Sequence, residues 1–306
     1  MSTNGYAVNR TAPTVRRLGR RGWRINLLYL PALALLLTFI AYPFVRGVMY
    51  SLTDWNGFSP SYHWVGLGQY QRMLSDARVR TVLLNTLVYA VASTLLQNAI
   101  GLGYALLLDK GIRGSAVVRT IVYLPIIISN LIMGYIWYFI VRNNGGALND
   151  VLIAFGRDPV NLLADRHLAV LVIVAANTFQ YVGVAMVLYL SGLQSIPRSC
   201  LEAAEIDGAS PRQRFWRVTL PLLMPSVTVS MTVNVIGGLN IFAVIIALTG
   251  GGPGYATSSL GTIMYQLYFG EQNAGYAAGL GVLMFLLAAL LGLTTLGALR
   301  RREVDL

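Results

Sequence analysis

The sequence predicts an all-α membrane protein with six transmembrane helices. Of its 306 residues, 56% are hydrophobic and only 11% are charged, whereas about a quarter of the residues in a soluble domain are charged. The mean hydropathy is +0.61, and six apolar stretches reach the roughly 20 residues that a helix needs to cross a bilayer. The length of these stretches argues against the alternative, a soluble protein with apolar core helices.

The six apolar stretches define one domain over residues 25–299. The predicted spans are near 25–45, 82–108, 120–141, 168–192, 222–249 and 276–299. They are predicted to be helices because backbone groups in lipid need internal partners, and they lack the alternation of barrel strands. A basic segment, 1–24, precedes the domain and is expected to be disordered. A short tail, 300–306, follows it.

The Lys and Arg residues predict the orientation in the membrane. Sixteen of the 23 lie on one side: six in the N-terminal segment, three in loop 109–119, four in loop 193–221 and three at the C-terminus. The other side holds the remaining seven. The positive-inside rule therefore predicts a multi-pass protein of the cell membrane with both termini in the cytoplasm. The basic residues that give the net charge of +11 are concentrated on one predicted side of the membrane. The charge therefore does not indicate nucleic-acid binding.

The residues that usually carry catalysis are scarce. The single cysteine is Cys200, and His63 and His167 are too far apart in sequence to indicate a metal site. The only lysine, Lys110, follows no Gly-rich loop, so the chain has no P-loop for ATP. We therefore predict no catalytic residue, no metal and no cofactor on this chain. A membrane-embedded enzyme would need an ionisable constellation that the sequence does not offer.

Uncharged amides are the main polar groups within the predicted spans. They can hydrogen-bond a polyhydroxylated, uncharged solute, although hydrogen bonding between helices is the structural alternative. As substrate contacts we predict the four amides of the two spans that flank loop 193–221: Asn177, Gln180, Asn234 and Asn240. The fifth span also holds Pro225 and Gly237–Gly238, which indicate either a bend or close packing.

The sequence of loop 193–221 predicts two short helices separated by a sharp turn. Residues 201–207 favour a helix that Gly208 ends, and Ser210 to Gln213 form a capping box with proline at the first helical position. Pro221 is expected to separate the second helix from the fifth span. The basic and aromatic second half would suit lipid headgroups. The acidic first half favours a protein partner instead.

The same loop carries a recognisable motif. Glu202-Ala203-Ala204 is followed by Gly208, then by Val218 and Leu220-Pro221. This pattern resembles the EAA loop of permease subunits of binding-protein-dependent ABC importers, with Val218 where Ile is usual. In that family the loop forms a coupling helix that docks in a cleft of the ATPase subunit. The implied ATPase-coupling residues are Glu202, Ala203, Ala204, Asp207, Gly208, Ala209, Leu220 and Pro221.

Further segments resemble the sugar-permease branch of that family. Leu30-Pro31, Tyr42-Pro43 and residues 51–55 look like its N-terminal signature. Residues 248–253 resemble the outer loop of the type that includes the maltose-permease F subunit and the glycerol-phosphate permease A subunit. The resemblance implies the transmembrane domain of a type I ABC importer (MetI-like). It also implies import of a sugar, an oligosaccharide or a related polyol or glycerol-phosphate compound.

The resemblance also implies the partners. They are a second permease subunit in a heterodimer, two ABC ATPase subunits, an extracytoplasmic solute-binding protein and membrane lipid. ATP and Mg would be bound by the ATPase, not by this chain. Two alternatives stay open: an ABC importer permease for another small polar solute, and an ATP-independent channel or carrier. The second alternative would leave the coupling loop unexplained.

Overall fold

The computed structural model of the chain describes residues 29–304. The predicted segment 1–24 lies outside the described residues, as does the end of the tail. The chain divides into one compact unit up to Arg46 and a second from Gly47 onward. In chain order the helices are α1 (Leu30–Tyr50), α2 (Gly68–Ser75), α3 (Ala77–Asp109), α4 (Ser115–Ile127), α5 (Asn130–Val141), α6 (Ala147–Ala154), α7 (Arg166–Ser195), α8 (Arg198–Ile206), α9 (Pro211–Leu239), α10 (Ala243–Leu248), α11 (Leu260–Tyr265) and α12 (Ala274–Arg300).

Five of these helices, α1, α3, α7, α9 and α12, are long and apolar enough to cross a membrane. The bent pair of α4 and α5 raises the number to six. The predicted spans 82–108, 168–192 and 276–299 lie within α3, α7 and α12, which confirms them. The first span was predicted to end near residue 45, but α1 continues to Tyr50. Its predicted start, 25–28, lies outside the described residues.

The third span is not the straight helix that its hydropathy predicted. Its two halves, α4 and α5, meet at an angle of 103°. The first half ends in a 3₁₀ turn that begins at Leu124 and contains Pro125. Ser129 then starts α5, because its hydroxyl accepts a hydrogen bond from the backbone N–H of Ile132 at 3.4 Å. The proline and the new N-cap together break the span where average hydropathy shows no change.

The fifth span differs from its prediction at both ends. Pro221 was expected to separate it from the loop, yet α9 continues through this residue. A π-helical stretch, Phe215–Thr219, precedes the proline, and its wider turn makes room for the ring beside the preceding carbonyls. At the other end, the helix stops at Leu239, where the side chain of Asn240 hydrogen-bonds the carbonyl of Ile236 at 2.8 Å.

Helix α7 is at the centre of the second unit, and 61% of its most apolar window is buried. It packs against α3 and α9. Asn98 of α3 joins all three helices, since its Oδ1 accepts hydrogen bonds from Tyr189 Oη (2.6 Å) on α7 and from Ser230 Oγ (2.7 Å) on α9. Close packing also explains Gly238, where a Cβ would collide with the backbone of Ala90.

The side of the membrane opposite loop 193–221, here called the distal side, carries a charged cluster. Asp76 caps the start of α3 and forms an ion pair with Arg78 at 3.0 Å, and Arg78 also pairs with Glu271 at 3.0 Å. Tyr276 at the start of α12 donates a hydrogen bond to Asp76 at 3.0 Å. Desolvation raises the pKa of Asp76, but hydrogen bonds from Arg78 and Tyr276 outweigh it and hold the pKa below 3.8.

We expect Asp76→Asn to lower the unfolding temperature in detergent by a few degrees at neutral pH, because hydrogen bonds to a charged group contribute about 1.5–3 kcal/mol. Asn can still cap α3, so the change tests the charge. Since the folded pKa is depressed, the stabilisation exists above pH 3.8 and is lost as the pH falls through the folded pKa. The unfolding temperatures of the two proteins should therefore converge in strong acid. An undiminished difference there would contradict this assignment.

Candidate functional site

The first half of loop 193–221 is the short helix α8, closed by a left-handed glycine. Gly208 has φ of 73°, and its N–H donates to the carbonyl of Glu205 at 3.0 Å. The N–H of Ala209 donates to the carbonyl of Ala204, also at 3.0 Å. These two bonds form a Schellman motif, which confirms the helix end that the sequence predicted. Gly208 lies in open space, since a Cβ there would meet no atom within 4 Å.

The second half of the loop begins with the predicted capping box. The side chain of Gln213 accepts from the backbone N–H of Ser210 at 2.9 Å, and the Ser210 hydroxyl accepts from the N–H of Gln213 at 3.4 Å. Because α9 runs without interruption from this box to Leu239, the loop is rigidly continuous with a membrane span.

An ion pair joins the two halves of the loop. Arg214 on α9 contacts the carboxylate of Glu205 on α8. Both side chains are partly exposed, so the pair contributes less than about 1 kcal/mol to folding. The pair links α8 to α9 across the Gly208 turn.

The predicted coupling residues differ in exposure. The tip of the loop exposes Glu202, Ala203, Asp207 and Gly208. Ala204, by contrast, is buried within the loop. Ala209, Leu220 and Pro221 are half-buried. Sequence reasoning missed Ile206, whose side chain is 86% exposed between the acidic residues. Its exposure depends on the fold, so the sequence alone could not reveal it.

A second site is a cavity of about 410 Å³ enclosed by α3, α7, α9 and the bend between α4 and α5. Of the four predicted substrate residues, Asn177, Asn234 and Asn240 line it. Among the described residues that line it, none is charged. The polar residues of its wall are Gln97, Asn130, Asn177, Tyr181, Asn234 and Asn240.

The fourth predicted residue, Gln180, lies behind the wall of the cavity. It is 1% exposed, and its Nε2 donates to the carbonyl of Ile128 at 2.9 Å and to Asn130 Oδ1 at 3.0 Å. Tyr181 Oη donates to the same Asn130 oxygen at 2.8 Å. Gln180 thus positions Asn130 at the bend of the third span. Neither Asn130 nor Tyr181 was among the substrate contacts predicted from the sequence.

Asn234 is the wall residue whose hydrogen bonding is incomplete. Its side chain is 6% exposed, and its Nδ2 is buried without a partner among the described residues. A buried donor without a partner costs about 1–3 kcal/mol. Because this donor borders a cavity, a polar ligand in the cavity could satisfy it.

Comparison with known proteins identifies the chain's family. Residues 97–302 match the sequence model of one protein family, the binding-protein-dependent transport system inner membrane component. The matched residues include the coupling loop and most of the cavity wall. The chain belongs to this family. This permease is therefore a multi-pass membrane protein that works with partner subunits in a binding-protein-dependent system. Within residues 29–304, no three His, Cys, Asp or Glu side chains are grouped so as to hold a metal ion.

Individual relatives agree with this assignment. The permease is 31% identical over 292 residues to the multiple sugar-binding transport system permease protein MsmF of Streptococcus mutans, a match that covers 95% of this chain and 100% of MsmF. It is 34% identical over 261 residues to the trehalose/maltose transport system permease protein MalF of Thermococcus litoralis, covering 85% of this chain and 88% of MalF. The predicted resemblance to sugar permeases is confirmed.

A solved structure confirms the fold class. The permease is similar to a chain of a bacterial ABC transporter involved in the import of the acidic polysaccharide alginate, with a TM-score of 0.79 and 24% sequence identity. The match covers 92% of this chain and 96% of that one. The six-helix fold of a type I ABC importer, of the MetI-like class, is therefore that of this permease.

A charge swap tests the ion pair in the loop. Glu205→Arg or Arg214→Glu alone would place like charges across the Gly208 turn, whereas the double swap restores an attractive pair. We expect each single variant to speed hydrogen–deuterium exchange of residues 198–219 up to about fivefold, given a pair worth less than about 1 kcal/mol. The double variant should exchange at nearly the wild-type rate. Exchange in the double variant as fast as in the single variants would disprove the pairing.

Proposed function

We propose that this chain is the transmembrane permease subunit of an ATP-driven importer for carbohydrates, and that it forms half of the translocation pathway. The observation that carries the proposal is an uncharged, amide-lined cavity that shares two helices with a structured docking loop. The names of relatives support the sugar cargo: MsmF is a multiple sugar-binding transport permease, and MalF of Thermococcus litoralis is a trehalose/maltose transport permease.

The coupling loop would be the contact with the ATPase. Its tip presents the carboxylates of Glu202 and Asp207 around the exposed Ile206, an apolar anchor within a polar rim, as at the centre of many interfaces. ATP and Mg would be bound and ATP hydrolysed on that separate subunit, so this chain would not itself be an enzyme. Because the ATPase is cytoplasmic, the loop and both termini would face the cytoplasm.

Force on the loop would reach the cavity through rigid helices. The loop joins α7 to α9, and both helices supply cavity residues: Asn177 and Tyr181 from α7, Asn234 from α9. At the loop end they pack around a buried cluster that includes Met186, Leu193 and Leu223. Closure of two ATPase subunits would therefore move the cavity walls, as in a two-state switch between inward- and outward-facing forms.

The cavity would hold an uncharged, hydroxyl-rich solute. Amide side chains donate and accept at once, so they suit sugar hydroxyls, which also do both. A charged solute would find no counter-charge in the described wall. The remaining partners proposed are a second permease subunit that completes the pathway and an extracytoplasmic binding protein that delivers the sugar to the distal side.

Two open glycines on the same side of the membrane test the coupling role. Gly208 in the coupling loop and Gly111 between α3 and α4 have similar φ values, 73° and 68°, and a Cβ added at either position would meet no atom within 4 Å. Both Gly208→Phe and Gly111→Phe therefore strain the backbone without a clash inside the chain. Only Gly208→Phe should remove the ATPase subunit from the co-purified complex or abolish ATP hydrolysis stimulated by the binding protein. Equal behaviour of the two variants would contradict a docking role for the loop.

Alanine at Asn177 or Asn234 tests the cavity. Each change removes about 1–2 kcal/mol of hydrogen bonding to the sugar, so uptake should fall roughly 5- to 30-fold while the complex still assembles. Asn98→Ala is the contrasting variant, because its amide is bonded to Tyr189 and Ser230 and does not line the cavity. It should lower thermal stability instead. Normal uptake by both cavity variants would refute the assignment.

A further inference from the structure

A second concave surface lies on the distal side of the amide cavity. This aromatic groove is open on one side and has a volume of about 630 Å³, and its walls include Tyr50, Trp55, Phe242, Tyr265 and Phe269. Its volume falls within the roughly 300–1,000 Å³ of small-molecule sites. Neither the coupling loop nor the wall of the amide cavity accounts for this concentration of rings.

The rings of the groove are held in place by one another. Tyr265 contacts Phe242 and Phe269, with ring centroids 5.7 Å and 5.0 Å apart. On the facing wall, Trp55 stacks on Tyr50 at 4.2 Å, and its Nε1 donates to the carbonyl of Ser59 at 2.9 Å. Yet Tyr265 and Phe269 remain 48% and 63% exposed. The groove is thus preorganised while two of its rings stay accessible.

The groove and the amide cavity meet at Asn240, which lines both. This residue ends α9, and its Nδ2 is bonded to the carbonyl of Ile236. Its Oδ1 makes no hydrogen bond to a described residue, so it can accept one from a ligand. A molecule that extends beyond the amide cavity toward the distal side therefore reaches the aromatic rings next.

We infer that the aromatic groove is a second saccharide subsite, which holds one pyranose ring while the neighbouring ring occupies the amide cavity. This inference rests on the proposed sugar cargo. A pyranose has an apolar face of C–H bonds, which packs on an aromatic face, and a hydroxyl rim, which Asn240 and the tyrosine hydroxyls can bond. Saccharides of two or more rings use both subsites, and a monosaccharide uses the amide cavity alone.

The arrangement of the rings distinguishes this subsite from an ordinary interfacial belt. Tyr and Trp side chains at a membrane interface anchor helices at headgroup level. Here the rings line a concavity that shares Asn240 with the wall of the amide cavity. If these rings instead contacted another subunit, their removal would release that subunit from the complex.

The test uses the assembled transporter with its binding protein in proteoliposomes. The probes are labelled neutral saccharides of one, two and three hexose rings. The double variant Tyr265→Leu/Phe269→Leu keeps apolar bulk but removes both ring faces. It should reduce uptake of the two- and three-ring probes about tenfold, because each aromatic contact contributes about 0.5–1.5 kcal/mol. Uptake of the one-ring probe and co-purification of the partner subunits should stay unchanged.

Two controls make the outcomes distinct. Tyr265→Phe/Phe269→Tyr keeps both rings and should retain more uptake of the two- and three-ring probes than the double leucine variant. Phe155→Leu removes an 81% exposed distal ring outside the groove and should have no effect. Normal uptake of all probes by the double leucine variant, or loss of partner subunits from it, overturns the second subsite. If the wild-type complex takes up none of the saccharides, the proposed cargo itself fails.

Discussion

The whole structure depends on one constraint, the absence of water within the hydrocarbon core. Every polar group there must find a partner inside the protein, because an unpaired group costs several kcal/mol. The backbone meets this constraint with helices, even at Pro43 and Pro221. Each of these prolines follows a π-helical turn, and the helix continues through it. Side chains meet it with bonds between helices, such as those that Asn98 accepts from α7 and α9.

Some buried polar atoms have no partner among the described residues, and one of them borders a candidate site. Asn234 keeps a buried donor without a partner among the described residues, and that donor borders the amide cavity. At the other end of the same helix, the loop exposes Ile206 and the carboxylates beside it to a partner. Helix α9 therefore connects a surface suited to a protein with a cavity suited to a polar solute. This connection would be the physical basis for the proposed coupling of ATP hydrolysis to transport.

Local rules made the loop predictable, and longer-range geometry limited the rest. The turn at Gly208 and the capping box of Ser210 and Gln213 each depend on residues that are close in sequence. The sequence therefore predicted both correctly. The bend at Ser129 and the break at Asn240 were missed, because hydropathy averaged over a span does not register one cap or one amide. Gln180 and Tyr181 could not be ranked from sequence, since neighbours on one helix can face the wall or the cavity. Ile206 was missed because exposure depends on the fold.

The most direct measurement of the central claim is the number of sugar molecules moved per ATP hydrolysed, in proteoliposomes that contain the complete transporter and its binding protein. The wild-type ratio would be compared with that of Asn234→Leu. This substitution removes the unpaired amide donor of the cavity and leaves the loop unchanged. Because this substitution leaves the coupling loop and its proposed ATPase contact intact, ATP hydrolysis should persist while the ratio falls. A parallel fall of hydrolysis and uptake at a constant ratio would contradict this account.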